Sequence, residues 1–256
     1  MLSAEPIELP GSGHAGPKIA VENYRTLGPT GIGTEQYRGL GVFAYPGLHA
    51  SCADRLRERV PPGAEVLELG AGSGAMSLRL ADLGYRPTAV DILEENFQAG
   101  DRARFVTADL NGDFARGLGR FTAVMALEII EHLENPRHFL RQARACMETG
   151  GHLVLSTPNL SNPLSRVQFM VDGTYQWFQD RNYEGIGHIT PLSPWLLAHC
   201  FQDCGLEPAW IGSFGDVGKN LVGWPRMRWL VRMMRPLSRI PRDLDGEIYV
   251  AVLRAV

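Results

Sequence analysis

Two carboxylates and an imidazole fall within five consecutive residues of this chain, in Leu127-Glu128-Ile129-Ile130-Glu131-His132. If the backbone turns helical at Glu128, then Glu128, Glu131 and His132 lie at i, i+3 and i+4 on one face. Charges converging there repel, or are buried at a cost, unless a cation sits between them. A divalent, oxygen-preferring ion such as Mg²⁺ or Mn²⁺ satisfies such a set, and His188 in Gly187-His188-Ile189-Thr190-Pro191 supplies a fourth ligand. Without a metal, His132 is the first candidate for a general base, His188 the second and His49 the third. The competing reading of each is a structural histidine with satisfied ring nitrogens.

A second group surrounds Val66-Leu67-Glu68-Leu69-Gly70-Ala71-Gly72-Ser73-Gly74. An apolar run leads into an acid, a G-x-G-x-G turn follows, and a second apolar run ends at Asp91, twenty-one positions after Gly70. Glycines allow positive φ and carry no Cβ to hold a ligand away, so the turn is expected to leave its backbone amides at positions 70 to 74 open to a cofactor. A carboxylate at the tip of the following strand suits a pair of ribose hydroxyls. Glu68 would be poorly placed in a buried strand unless it met a donor such as an amine. Asp109, in Val106-Thr107-Ala108-Asp109-Leu110, can accept from an exocyclic amine. The bland alternatives are a helix cap at Asp91 and a turn residue at Asp109.

These side chains need strands that end together. Strands are predicted at 65–69, 88–90, 104–107, 121–127 and 152–156, and helices at 48–59, 75–83, around 92–97, at 136–147 and from 194 to Gly205. Strands near 209–211 and 247–253 are expected to pair antiparallel. Alternation at this spacing means a doubly wound α/β, Rossmann-like sheet that is mainly parallel and covered on both faces, with an antiparallel final strand. Residues 1–45 are rich in Gly and Pro and read as a loose arm or lid, leaving 46–256 as one domain. Two insertions interrupt it. Residues 159–190 leave the edge where ligands of such sheets bind, so Asn159 and the rings Tyr175, Trp177, Phe178 and Tyr183 are candidates to line an acceptor cavity; the rings alternatively pack the insertion on the core. Residues 214–245 contain the other.

The chain has 256 residues and a net charge of −3, with no general pull toward nucleic acid or anionic membrane. Cys52, Cys146, Cys200 and Cys204 are scattered and read as buried reduced thiols. No basic-then-apolar leader and no spanning run is evident, so a cytoplasmic protein, with a peripheral membrane contact left open, is expected. That contact would come from 224–242, where Arg226, Arg228, Arg232, Arg235, Arg239 and Arg242 alternate with Trp224, Met227, Trp229 and other apolar residues without any acid. Such a stretch suits an anionic membrane, a lipid-linked acceptor or RNA phosphates, or it is an ordinary helix with solvated arginines.

On the glycine turn, Glu68, Asp91, Asp109 and the Phe121–Pro136 block, the chain resembles class I S-adenosylmethionine-dependent methyltransferases from about Leu48 to Val256. The resemblance implies that Gly70, Ala71, Gly72 and Gly74 pass the methionine moiety and that Glu68 orients its amine. It places the ribose hydroxyls on Asp91, Ile92 beside the adenine and the adenine amine on Asp109, with Leu110 and Leu127 also among the cofactor-binding residues. The E-x-x-E-H arrangement is similar to that of ubiquinone-pathway O-methyltransferases and of small-RNA terminal ribose methyltransferases, where a metal positions the accepting hydroxyl; related enzymes carry the motif without one. Methylation of a small-molecule hydroxyl (phenol, catechol, sugar or lipid-linked saccharide) is therefore expected. N-methylation, RNA ribose methylation and a non-catalytic cofactor-binding scaffold are the alternatives.

Overall fold

The structure, a computed structural model, describes residues 35–220, 225–234 and 241–256. Most of the proposed arm (1–34) and Trp224, Arg235, Leu237 and Arg239 of the basic stretch lie outside the described residues.

A short hairpin opens the described chain, β1 (Gln36–Tyr37) against β2 (Leu40–Gly41). Helix α1 (Leu48–Arg57) follows, burying Leu48, Cys52 and Leu56 at every fourth position. Strand β3 (Glu65–Leu69) then enters the core, with Val66, Leu67 and Leu69 fully buried. Its apolar run has no alternation because both faces of a central parallel strand are covered. Helix α2 (Ala75–Asp82), β4 (Arg86–Asp91), β5 (Arg104–Thr107) and β6 (Phe121–Leu127) continue the alternation. Helix α3 (Pro136–Ala145) starts as expected, with proline at its first turn and the Asn135 side chain accepting from the His138 amide at 2.9 Å. Strand β7 (Met147–Pro158) leads into the first insertion, which holds α4 (Pro163–Asp172) and α5 (Asp180–Ile186). Helix α6 (Pro194–Asp203), capped by Ser193, precedes β8 (Leu206–Phe214). The second insertion contributes α7 (Val217–Asn220) and α8 (Pro225–Met234) before β9 (Ile248–Ala255).

The sheet order is β5-β4-β3-β6-β7-β9-β8. The strands from β5 to β7 are parallel, and β9 runs antiparallel to both β7 and β8. The order reverses between β3 and β6, which opens a crevice beyond their carboxyl ends. One apolar cluster joins α3 and α6 to one face of the sheet, and another joins α1 and α2 to the other.

Three local expectations differ. Residues 92–97 form only a 3₁₀ turn at Glu94–Asn96, because the Asp91 carboxylate accepts the Leu93 amide at 3.0 Å and Leu93 is not helical. Strand β7 is longer than 152–156, since antiparallel pairing with β9 continues to Pro158. Residues 35–45 are not loose: Ser73 Oγ donates to the Gly41 carbonyl at 2.6 Å, Tyr37 OH donates to Asp82 at 2.8 Å, and the Arg79 guanidinium lies 4.1 Å from the Tyr37 ring centre.

Candidate active site

A cavity opens at the carboxyl ends of β3, β4 and β6. Glu68, Gly70, Ala71, Gly72, Asp91, Ile92, Asp109, Leu110 and Leu127 line one end of it, and Glu128, Ile129, His132 and Gly187 the other. Of the expected cofactor residues only Gly74 is not in its wall; it caps α2 instead.

The glycine turn works differently from the expectation. Four of its five amides are not bared: Gly70 and Ala71 donate to the Val90 carbonyl at 2.9 and 3.1 Å, Gly72 to Asp91 Oδ2 at 2.8 Å, and Gly74 to the Ala71 carbonyl at 2.9 Å. The glycines are needed for conformation and clearance. Gly70 has φ +81°, and a Cβ there would lie 2.7 Å from the Ile129 side chain; Gly72 has φ +50°, and its Cβ would lie 2.8 Å from the Phe43 ring. The carboxylates therefore carry the polar contacts of this end. Asp91 braces the turn and accepts from the Leu93 amide, as the capping alternative has it, and each oxygen keeps a lone pair that could take a ribose hydroxyl. Burial raises its pKa, against the pull of those backbone donors. Asp109 is an exposed turn residue, with Oδ1 accepting from the Asn111 amide at 2.9 Å, and it still borders the cavity.

Glu68 is 5% exposed and accepts from the Ser77 hydroxyl. Burial, reinforced by the nearby Asp91 charge, pushes its carboxyl up to about 8, although the Ser77 bond opposes this. A cationic ligand at this end would reverse that shift. Three acids and the apolar walls of Ile92 and Leu110 fit an adenosyl sulfonium that carries an ammonium group.

At the other end, no helix begins at Glu128. Strand β6 stops at Leu127, Glu128 takes φ +51°, and a 3₁₀ turn spans Ile130–His132, so the proposed i, i+3, i+4 face does not form. The reason lies on the neighbouring strand: the Glu128 amide donates to Ser156 Oγ at 3.0 Å, and the same hydroxyl donates back to the Glu128 carboxylate at 2.7 Å. This two-way clamp to β7 holds a strained residue at the cavity wall. Burial raises the Glu128 carboxyl to about 7.

Glu131 is fully buried and accepts from Thr157 Oγ1 at 3.0 Å with one oxygen; its other oxygen, Oε1, is buried without a hydrogen-bond partner. Burial first, and the Glu128 charge second, raise its pKa well above the carboxylate range. One ligand atom each from Glu131, His132 and His188 lie within 4.8 Å of one another. Glu128, held by Ser156, is not part of this group. His132 Nδ1 lies 3.1 Å from the Gly187 carbonyl, and His188 Nδ1 lies 2.8 Å from that of Trp177. A carbonyl only accepts, so each neutral ring carries its proton on Nδ1 and its lone pair on Nε2. Burial, with the neighbouring His188, lowers His132 to about 3 against the pull of the Gly187 and Ile186 carbonyls. Burial lowers His188 to about 4. Both rings therefore stay neutral at physiological pH. The orphaned carboxylate oxygen and two imidazoles fit a divalent ion, although two nitrogen donors suit zinc, iron or nickel better than Mg²⁺.

Other expected acceptor residues fall elsewhere. Asn159 is 2% exposed and does not reach the cavity; its amide donates to the carbonyls of Leu244 and Gly246 at 2.8 and 2.7 Å, tying the two insertions together. Nor do the four rings form its wall. Tyr175 stacks on Phe169 at 4.7 Å, Phe178 packs 5.5 Å from His188, and Tyr183 is solvent-facing. Phe43 and His49 do line the cavity. Phe43 lay in a segment with no period to place it. His49 was the weakest of the three base candidates, yet its buried Nδ1 has no hydrogen-bond partner, and burial followed by the Arg79 charge lowers it to about 3. All four cysteines are free and buried.

A family profile described as a methyltransferase domain matches residues 47–209, well over half of the chain. The chain belongs to that family. Its sheet and its glycine turn are those of the class I S-adenosylmethionine-dependent methyltransferases. A ubiquinone biosynthesis O-methyltransferase of Xanthomonas axonopodis pv. citri is 32% identical over 107 residues, covering 39% of this chain and 45% of that protein. The chain thus spans less than half the length of the curated relatives it matches. A SAM-dependent methyltransferase structure from Archaeoglobus fulgidus superposes with a TM-score of 0.54 at 20% identity, over 80% of this chain and 94% of that one. The [4+2]-cyclase SpnF superposes with a TM-score of 0.56 at 14% identity, over 93% and 92% of the two chains. These methyltransferase-fold neighbours share the architecture alone.

Proposed function

We propose that this methyltransferase-family protein moves the methyl group of S-adenosylmethionine to a hydroxyl oxygen of a small-molecule acceptor: a phenol, catechol, sugar or lipid-linked saccharide. The observation that carries the reading is one continuous cavity, acidic at the glycine-turn end and ending at a neutral imidazole, His132. The name of the Xanthomonas relative supports oxygen as the accepting atom. Bound S-adenosylmethionine supplies an electrophilic methyl on a positively charged sulfur. Glu68 orients the amine, Asp91 holds the ribose, and Asp109 with Ile92 and Leu110 holds the adenine. His132 Nε2 accepts the hydrogen bond of the hydroxyl and fixes its oxygen in line with the carbon–sulfur bond; alignment of this kind is a major source of rate. As the oxygen–methyl bond forms, the hydroxyl proton passes to a cavity base, either His132 or Glu128, and S-adenosylhomocysteine leaves.

Glu131, His132 and His188 are the residues that would hold a divalent ion; His132 Nε2 would then bind the ion in place of the acceptor hydroxyl, and the ion would favour the ionised form of the acceptor oxygen. Two measurements test the proposal. Calorimetry with S-adenosylmethionine and S-adenosylhomocysteine tests the cofactor end; absence of heat with both, on folded protein, ends the reading. Transfer of labelled methyl to catechols and phenols, before and after chelation and with zinc, manganese or magnesium added back, tests the acceptor end. Turnover unchanged by chelation removes the metal and leaves the methyl transfer standing.

A further inference from the structure

The surface beside the cavity carries apolar side chains that the core does not use. Phe169, Met170 and Val171 at the end of α4 are 49%, 67% and 62% exposed, and Trp229 and Met233 on α8 are 60% and 56% exposed. Helix α8 buries none of its residues. The two helices pack on each other: Phe169 and Met170 share a groove with Val231 and Met234. Phe169 and Met170 thus meet the side of α8 that carries Val231 and Met234, while Trp229 and Met233 stand on its solvent-facing side; exposed apolar surface of this kind marks contact sites. Trp229 and Met233 stand at i and i+4, and Arg226, Arg228 and Arg232 flank them, all exposed, with no acid anywhere on the helix.

Strand register fixes where this patch sits. Pro158 pairs with Ile248, and Ile248 with Phe214, so both insertions leave the sheet at one edge. Leu127 pairs with Ser156, which puts that edge at the carboxyl end of β6, where the acceptor end of the cavity opens. The hydrogen bonds of Asn159 to Leu244 and Gly246, and that of Gln176 to Glu247 at 3.0 Å, tie the insertions together.

We propose that α4 and α8 form a membrane-docking face that rests on an anionic lipid surface and turns the acceptor end of the cavity toward it. The argument for this occupant is charge. Three arginines around an apolar stripe match lipid phosphates and acyl boundary together, on a chain whose net charge is −3. A symmetric contact with a second copy would set these arginines against themselves. No described helix is long and apolar enough to cross a membrane, so the contact is with its surface. The corollary is that the acceptor is an amphiphile resident in the bilayer. That part rests on the methyl-transfer reading, whereas the docking does not.

The test is co-sedimentation of the full chain with phosphatidylcholine vesicles, with and without phosphatidylglycerol, at low and high salt. Binding is expected with phosphatidylglycerol at low salt and weakens as salt rises. The triple variant R226Q/R228Q/R232Q lowers the partition coefficient roughly a hundredfold. The double variant W229S/M233S lowers it by at least about tenfold. Calorimetry with S-adenosylmethionine, reading the same affinity in all forms, shows that the variants are folded and scores the cofactor reading separately. Wild-type protein left in the supernatant at low salt, or a triple variant that pellets like wild type, overturns the proposal. So does a dimer in sedimentation velocity that W229S/M233S dissociates, which would assign the face to a second copy.

Discussion

Replacing Glu68 by glutamine tests the electrostatics of the cofactor end without removing its shape. Burial holds the carboxyl at about 8, against an ordinary value of 4.5. At about 1.4 kcal/mol per pH unit, ionising it in the folded state costs about 5 kcal/mol more than in the unfolded chain. The folded state binds this proton more tightly, so the contribution is absent below about pH 4.5. Stability then falls as pH rises toward 8 and is level above. If water entering the cavity relieves half of the cost, about 2.5 kcal/mol remains at about pH 9, and Glu68→Gln unfolds roughly 5–10 °C above wild type there. At about pH 5 the two melt together, since a protonated carboxyl and an amide differ little in size and charge. Thermal unfolding across pH reads this directly. Glu128 and Glu131 contribute the same trend to both proteins, so only the difference between the curves matters. Binding of a cation reverses the shift, so S-adenosylmethionine should release a proton near neutral pH. Calorimetry in buffers of different ionisation heat detects that release, and the variant should lack it while binding on the order of tenfold more weakly. Parallel melting curves for the two proteins, together with proton release in neither, would refute the reasoning.

The remaining predictions concern the turn and the acceptor end. Gly70→Ala forces a Cβ against Ile129 at positive φ; it should cost about 1–3 kcal/mol in denaturant unfolding and shift the segment that carries Glu131 and His132, lowering turnover as well as cofactor affinity. Ser156→Ala removes the hydroxyl that holds Glu128 in its strained conformation, and a loss of about 1–2 kcal/mol in stability with reduced turnover is expected; unchanged values of both would mean that the clamp does nothing. His132→Ala should lower turnover by about 10²–10⁴ and leave S-adenosylmethionine affinity nearly intact, and an unaffected rate would reject its proposed role at the acceptor oxygen.

Strand β3, the turn after it and the acid at the end of β4 were legible because short-range rules govern them. An unbroken apolar run, glycines at strained positions and a carboxylate one strand later each report a local requirement. The helix starts at Pro136 and Pro194 were legible for the same reason, since each cap closes within three residues. The sequence likewise carried the doubly wound fold, because the alternation of strands and helices is a one-dimensional pattern. Tertiary structure alone decided where the amides of Gly70, Ala71 and Gly72 point: their acceptors, Val90 and Asp91, come from a neighbouring strand. It also decided that Glu128 is held by Ser156 and does not join Glu131 and His132 in one ligand group. Ser156, the residue responsible, is twenty-eight positions distant in sequence and adjacent only through the pairing of β6 with β7. His188 reached the site through the folding of the first insertion, and Phe43 through docking of the hairpin, neither of which leaves a periodic trace. Residue types and short spacings encode which chemistry is available. Which groups meet depends on strand register and on packing between distant segments, and these are settled only when the whole sheet has formed.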